Sequence, residues 1–297
     1  MSAFELIGLR KSFPRFDLGP IDIVVEPGCA TGFIGPNGSG KTTTLYCMMG
    51  LLRPESGSVR FDGVLNDLNH PEWKHHVGFV GDQQPFHDPW TGAVNLRFLS
   101  GFYPSWSDSL VKKLADRIDL DLDRRVRELS AGNKVKLGLV AALAYEPRLL
   151  LLDEPTAGLD PVVRTEVIDI LRDLVGEGDR TVFYSTHVLS DLERLADRLV
   201  FLNDGRISLE SDTETLRQQW RRFTFRLDGS VGEIQGVVRH HTEGGVHQVV
   251  SSDGDATAPQ LGVLGAADVQ VSPMSLNDIA IEVMTTGNDR PETAEAV

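Results

Sequence analysis

The sequence predicts an α/β fold with a mostly parallel sheet, and three patterns lead to this class. Apolar segments such as "VGFV", "LLLLD", "TVFYS" and "RLVFL" alternate with helical patterns, which favours parallel strands covered on both faces. Earlier segments, "FELIGL", "IDIVV", "CATGFIG" and "GSVRF", are rich in β-forming residues and predict an antiparallel β section beside that sheet. Residues 91–144 have a helical pattern interrupted at "FYPSW", which predicts a helical section.

The chain of 297 residues suits one large domain followed by a small appendage. We expect a main domain over residues 1–211 and a linker helix over 212–220. From 221 to 285 the composition shifts to short alternating strands, Gly/Asp turns and one amphipathic helix, which predicts a small α+β accessory domain. The last segment, 286–297, is polar and is expected to be disordered.

Charge and cysteine content narrow the functional classes. The net charge is −14, with 43 acidic and 29 basic residues, which argues against nucleic acid as a main partner. Two cysteines, Cys29 and Cys47, suggest no disulfide framework and fit a reducing compartment. The first residues do not form a signal peptide, and the apolar runs are shorter than the roughly 18 residues of a membrane helix. We therefore expect a cytoplasmic protein.

The segment "GPNGSGKT" matches the phosphate-loop pattern G-x-x-x-x-G-K-[ST]. It follows the apolar strand "CATGFI" and opens a helix, and this context argues against a chance glycine-rich turn. Lys41 would add a charge at the β- and γ-phosphates, the Thr42 hydroxyl would bind Mg²⁺, and Thr43 is placed for the α-phosphate. The nucleotide contacts predicted for this loop come from Gly35, Asn37, Gly38, Ser39, Gly40, Lys41, Thr42 and Thr43.

Two further strand ends carry polar groups. "LLLLDEP" predicts a buried strand that ends in Asp153 and Glu154. "YSTH" places His187 just after another predicted strand. The carboxyl ends of parallel strands form the ligand-binding edge of such sheets. Asp153 suits magnesium through water, Glu154 suits polarisation of the attacking water, and His187 suits a contact with the γ-phosphate. The alternatives are a plain core strand and a plain surface histidine.

A second helix start, "ELSAGNKVKL", also resembles an anion site. Ser130 caps this helix, and Gly132 allows a close approach to the backbone. Capping alone would be worth about 1 kcal/mol and is compatible with phosphate binding.

The ordered motifs "GPNGSGKT", "LSAGN", "LLLLDEPTAGLD" and "STH" resemble the nucleotide-binding subunit of ABC transporters over roughly residues 4–210. "SGFYPSWSD" and "HVLSDLERLADRLVFLNDGRI" are most similar to stand-alone subunits of bacterial exporters, the YtrB-like branch. The resemblance implies a P-loop NTPase that binds ATP and Mg²⁺. In this family two subunits pack head to tail, so Ser130 and Gly132 would contact the γ-phosphate held by Lys41 of the other subunit.

Further site residues follow from the resemblance. Lys41, Glu154 and His187 are the implied catalytic set, and Asp160 falls in the loop that crosses the dimer interface. Phe13 falls where the family has an aromatic residue that stacks on adenine. A core phenylalanine is the alternative for Phe13, and Phe16 competes for the stacking role.

Two positions depart from the family pattern. The signature is commonly Leu-Ser-Gly-Gly-Gln, whereas Ala131 and Asn133 replace the second Gly and the Gln here. The glutamine that senses magnesium and the membrane partner aligns with Asp82, and Gln83 or Gln84 could also fill that role.

The resemblance implies an ATPase subunit that drives an integral membrane permease on another chain, with export favoured over import. The subunit would sit at the inner face of the cell membrane and dimerise with a copy or a paralogue. The permease would read its motion through the helical section between residues 82 and 127. The alternative is an ATP-dependent switch on a soluble machine, a class that commonly has two such domains or long basic or coiled-coil insertions. A non-hydrolysing regulator is opposed by the presence of Glu154 and His187.

Overall fold

The computed structural model describes residues 3–66, 71–82, 85–176, 180–227 and 231–286. Gln83 and Gln84 lie outside the described residues, as does the predicted tail beyond Thr286. The described strands form three sheets, and the predicted α/β class is confirmed.

The first sheet is antiparallel, in the order β2-β1-β4-β5. Its strands are β1 (Phe4–Phe13), β2 (Phe16–Val25), β4 (Ser56–Phe61) and β5 (Val64–Leu65). This sheet is the predicted antiparallel section, but the prediction was wrong for "CATGFIG", which lies in the central sheet and pairs there in parallel because it is covered on both faces. Its buried side chains join one core cluster with α1 (Lys41–Met48).

The central sheet has six strands in the order β10-β9-β3-β8-β7-β6. These are β3 (Ala30–Ile34), β6 (Val77–Val80), β7 (Leu149–Asp153), β8 (Thr181–Thr186), β9 (Arg198–Asn203) and β10 (Arg206–Asp212). All neighbours pair in parallel except β9 and β10. In β7, Leu149 and Leu151 enter the cluster under the first sheet, whereas Leu150 and Leu152 enter the cluster under the helices. The four leucines are therefore all buried because both faces of the sheet are covered.

The predicted helical section contains α2 (Gly92–Ser100), α3 (Asp108–Arg117) and α4 (Ala131–Leu143). Side chains of Thr91, Ser107 and Ser130 each accept a hydrogen bond from an amide in the first turn, which explains where these helices begin. Two more helices, α5 (Pro161–Gly176) and α6 (Leu189–Leu195), follow β7 and β8. Short 3₁₀ helices cover Pro71–His76 and Val126–Glu128.

The C-terminal part begins with α7 (Thr213–Gln219), capped by Asp212 inside the predicted linker. A four-stranded antiparallel sheet follows in the order β12-β13-β11-β14. Its elements are β11 (Arg221–Arg226), β12 (Val237–Glu243), β13 (Val246–Ser251), α8 (Gly254–Val263) and β14 (Ala267–Pro273). Phe223, Phe225, Val249 and Leu261 give this part its own small core.

The last helix, α9 (Leu276–Thr286), packs on the main domain although it lies inside the predicted accessory domain. Leu276, Ile279 and Val283 are buried in the same cluster as Leu189 and Leu192 of α6. The side-chain amide of Asn203 also donates to the Met284 carbonyl. The small sheet is thereby anchored to the main domain by a helix that follows it in the sequence. The predicted domain boundaries stay a prediction.

Candidate nucleotide site

The loop between β3 and α1 has a backbone that requires glycine. Gly38 and Gly40 have φ values of 83° and 107°, in the left-handed region that side chains disfavour. A Cβ at Gly35 would lie 2.3 Å from the Leu202 carbonyl oxygen, so a side chain there would displace backbone. No side chain among the described residues caps α1, which leaves the first amides of this helix available to an anion. A loop with this geometry can bind a phosphate group, and the phosphate contacts predicted for it stay a prediction.

Lys41 is held at the centre of this loop. Its side chain is 4% exposed, and Nζ donates to the Gly35 carbonyl at 2.9 Å and to the Pro36 carbonyl at 3.2 Å. Nζ also lies 3.0 Å from Glu154 Oε1. Contacts within the chain thus fix the position of the ammonium group.

Asp153 is fully buried at the end of β7. Its Oδ1 accepts a hydrogen bond from the Ser185 hydroxyl at 2.6 Å. Burial raises the pKa of this carboxyl, and the hydrogen bonds from Ser185 and Thr42 work in the opposite direction. Oδ2 is buried without a hydrogen-bond partner meeting normal geometry among the described residues. A buried carboxylate oxygen with unused acceptor capacity, near a threonine hydroxyl, fits a Mg²⁺ site.

Glu154 joins the two other predicted catalytic residues. Its Oε1 meets Lys41, and its Oε2 lies 2.7 Å from His187 Nδ1. The Glu154 backbone has a φ of 48°, uncommon for a non-glycine residue, and its amide donates to the Ser185 carbonyl of β8. The turn after β7 therefore aims the carboxylate between the phosphate loop and the histidine. A carboxylate held there is placed to polarise a water molecule.

Lys41 and Glu154 border a cavity of about 320 Å³, whereas Asp153 and His187 are not part of its lining. Its walls are formed by Phe13, Phe16, Asn37, Gly38, Gly40, Lys41, Thr42, Thr43 and Glu154. Phe13 is 40% exposed at the end of β1 and stacks on Phe16, with ring centroids 6.4 Å apart. This exposure disfavours the core alternative for Phe13, but both rings border the cavity. Adenine stacking by Phe13 stays a prediction.

The second predicted helix end lies apart from this cavity. Ser130 is exposed and accepts from the Asn133 amide at 3.2 Å, and Asp160 caps α5 by accepting from the Val162 and Val163 amides. A Cβ at Gly132 would lie 2.7 Å from Val163 Cγ1, so α5 packs closely against this glycine and would have to shift to admit a side chain. Ser130, Gly132 and Asp160 do not border the phosphate-loop cavity of their own chain.

Asp82 lies at the same sheet edge as Asp153. It is exposed and comes two residues after Val80, which pairs with Leu152 of β7. Asp82 does not border the cavity, and its rivals Gln83 and Gln84 are outside the described residues. Its assignment to magnesium stays a prediction.

Sequence reasoning missed a buried polar network behind Glu154. The hydroxyls of Thr156 and Tyr184 both donate to Asp191 Oδ2 and lie 2.7 Å from each other. All three residues are buried, and they tie the turn after β7 to β8 and α6. Tyr184 lies in an otherwise apolar strand. This position was a signal in the sequence, because a buried tyrosine hydroxyl needs a hydrogen-bond partner. Ser185 was also missed, although it precedes His187 by only two residues.

The family profile described as ABC transporter matches residues 18–157. The ABC transporter ATP-binding protein YtrB of Bacillus subtilis (strain 168) is 34% identical over 230 residues, which are 76% of this chain and 78% of YtrB. The chain belongs to the ABC transporter ATP-binding proteins. The bacitracin transport ATP-binding protein BcrA of Enterococcus faecalis is 35% identical over 216 residues, 72% of this chain and 70% of that protein. The resemblance seen in the motifs is confirmed.

Solved structures of ABC transporter ATP-binding subunits and cassettes share the fold of this chain. One described as the ATP-binding subunit of an ABC transporter has a TM-score of 0.65 and 25% identity, and covers 73% of this chain and 92% of that one. Another, a dimeric bacterial ABC transporter cassette, has a TM-score of 0.64 over 70% of this chain and 98% of that one. At 23% identity it supports the fold alone. The predicted P-loop NTPase fold is therefore confirmed.

Proposed function

We propose that the chain hydrolyses ATP with Mg²⁺ and drives an integral membrane permease formed by other chains, with export favoured. The observation that carries the proposal is the contact of Glu154 with both Lys41 and His187, since Glu154 and Lys41 line a cavity together with other phosphate-loop residues. Mg²⁺ held by Thr42 and Asp153 would neutralise phosphate charge. Lys41 would hold the β- and γ-phosphates, Glu154 would orient the attacking water, and His187 would contact the γ-phosphate.

A dimer is the assembly that this arrangement supports. The motif "LSAGN" contains a helix N-terminus that does not border its own chain's cavity, and Ser130 at this helix end is exposed. We propose that Ser130 and Gly132 complete the site of a second subunit, either a copy or a paralogue. Asp160 would lie in the interface between the two.

A row of aromatic side chains supports docking to a permease. Trp90, Phe98 and Phe102 are 37%, 56% and 60% exposed, and adjacent rings contact each other edge to face. They lie on and beside α2, within the section predicted to meet the permease. Exposed aromatic groups packed together are typical of interaction surfaces.

The hypothesis of a transporter subunit has support beyond the aromatic row. None of the helices that the structure describes is long and apolar enough to cross a membrane, and the permease is proposed on separate chains. Relatives are named for transport of bacitracin and, in Streptococcus pyogenes, of a lantibiotic. We propose a position in the cytoplasm, at the inner face of the membrane.

Gentle solubilisation of membranes, followed by purification of the full chain and mass spectrometry, tests this function. We expect integral membrane proteins to co-purify, and Phe98→Ser to release them without loss of ATP binding. Leu51→Ser is the matched control, because Leu51 is 60% exposed and lies outside the aromatic row. Recovery of a soluble machine instead would favour the switch-module alternative.

A further inference from the structure

The C-terminal sheet carries a second cavity, of about 350 Å³, far from the nucleotide motifs in sequence. It is lined by Arg222, Arg239, His240, His241, Gln248 and Val250. Arg222 of β11 pairs with Val250 of β13, which pairs in turn with Arg239 of β12. In the same way Gln248 pairs with His241. Because alternate residues of a strand face the same side, both arginines and His241 share one face of this sheet.

The charge of this cavity is opposite to that of the chain. The net charge is −14, yet the two arginines are the charged groups that line this cavity. Arg222 has no ion-pair partner among the residues that the structure describes, while Arg239 Nη2 lies 2.5 Å from Glu282 Oε1. Burial and the neighbouring His247 and His241 lower the pKa of His240, which disfavours the charged form of this ring.

The lining favours an oxyanion over a metal or an apolar ligand. Guanidinium groups bind phosphate and carboxylate with two parallel hydrogen bonds, and the Gln248 amide and His241 ring provide further donors. Val250 is 5% exposed and forms an apolar floor, which strengthens charge interactions above it. The described residues contain no cluster of three metal-ligating side chains. The volume lies at the lower end of small-molecule sites.

We propose that this pocket binds a small soluble metabolite through its phosphate group, and that this ligand competes with Glu282 for Arg239. Glu282 belongs to α9 and is 2% exposed. α9 packs on α6, and α6 begins at Leu189, two residues after His187. An anion that draws Arg239 away from Glu282 therefore weakens a contact that anchors α9, and α9 supports the segment following the site histidine.

Calorimetric titration with inorganic phosphate tests the pocket in the full chain carrying Lys41→Ala, which disables the phosphate loop. In that background Arg222→Gln should weaken phosphate binding about 10-fold or more, because a charge-assisted hydrogen bond is lost. Arg226→Gln is the matched control, since Arg226 lies on the same strand but outside the cavity and should bind normally. Arg222→Lys keeps the charge without the fork and should fall between the two.

Glu282→Gln should have the opposite effect and tighten phosphate binding, because the competing carboxylate is removed. Phosphate should also increase amide hydrogen exchange in α9. Phosphate binding that is absent, or equal in Arg222→Gln and Arg226→Gln, would overturn the proposal. Arg222-dependent binding to phosphatidic acid vesicles, with none to free phosphate, would overturn the soluble ligand. These measurements need no ATP, so they succeed or fail independently of the proposed ATPase function.

Discussion

The helices α1 and α4 both begin at a glycine-containing motif of the kind that binds phosphate, but their first turns differ. α1 follows Gly40, and no side chain caps its amides. α4 follows Ser130, whose hydroxyl already accepts from the Asn133 amide. The first residues of α1, beginning with Lys41, line the cavity together with Glu154. At the start of α4, Ser130 is exposed and borders no part of that cavity.

The difference fits the proposal that α1 belongs to a nucleotide site and that α4 completes the site of a second subunit. Around α1, one chain supplies amides, an ammonium group, a buried carboxylate at Asp153 and a second carboxylate at Glu154. Around α4, one chain supplies a hydroxyl and a helix end without a surrounding cavity. On this view α1 sets nucleotide affinity, and α4 sets closure and turnover between subunits.

Glu154→Gln should have the largest effect on this comparison. The substitution removes the carboxylate that faces Lys41 and His187, so steady-state ATP hydrolysis should fall about 100-fold or more. ATP binding at α1 should persist, and the ATP-bound dimer should accumulate on size-exclusion chromatography. Glu193→Gln, on the exposed side of α6, is the control. Near-normal turnover in Glu154→Gln would remove Glu154 from the role of base.

Ser130→Arg should come next, with a loss of turnover but not of nucleotide affinity. The larger side chain would obstruct the approach of a phosphate to the α4 amides. ATP binding by the isolated subunit, measured by fluorescence titration, should match the unmodified chain. A loss of ATP affinity in the monomer would place "LSAGN" within its own chain's site.

Phe13→Ala should have a moderate effect, confined to binding at the α1 site. Loss of an aromatic stack is worth about 1 kcal/mol, or roughly five-fold in affinity, for ATP and ADP alike. The rate at saturating ATP should not change. Phe16→Ala is the comparison, and a larger affinity loss there would transfer the stacking role to Phe16.

Tyr184→Phe should affect stability alone and should have the smallest effect on nucleotide binding and turnover. One buried hydroxyl leaves the network with Thr156 and Asp191, which should lower the free energy of unfolding by about 1 kcal/mol. Urea denaturation measures it, with exposed Tyr46→Phe as the control. A large loss of turnover at unchanged stability would instead assign the network a part in positioning Glu154.

The fold class and the phosphate loop were predictable because their signals are local. Strand, glycine loop and helix are consecutive in "CATGFIGPNGSGKT", and the four leucines of β7 are apolar because both faces of the sheet are covered. The contacts of Glu154 depend on which strands are neighbours in the sheet. The sequence predicted only that the carboxyl ends of parallel strands meet at one edge, not which strands lie side by side. The Thr156–Tyr184–Asp191 network and the packing of α9 on α6 involve residues far apart in sequence, so no local pattern revealed them.

The central claim is that α1 of one subunit and α4 of another form one site, and mixing two defective variants tests it most directly. In a heterodimer of Ser130→Arg and Lys41→Ala, both lesions meet in one composite site, and the second site pairs an intact loop with an intact "LSAGN". We expect ATP-driven dimerisation or turnover to reappear on mixing, at partial level because paired sites often act as a unit. Each variant alone should stay inactive. If mixing restores neither dimerisation nor turnover, and Ser130→Arg also abolishes nucleotide binding by the lone subunit, the two helix ends serve a single chain and the account is wrong.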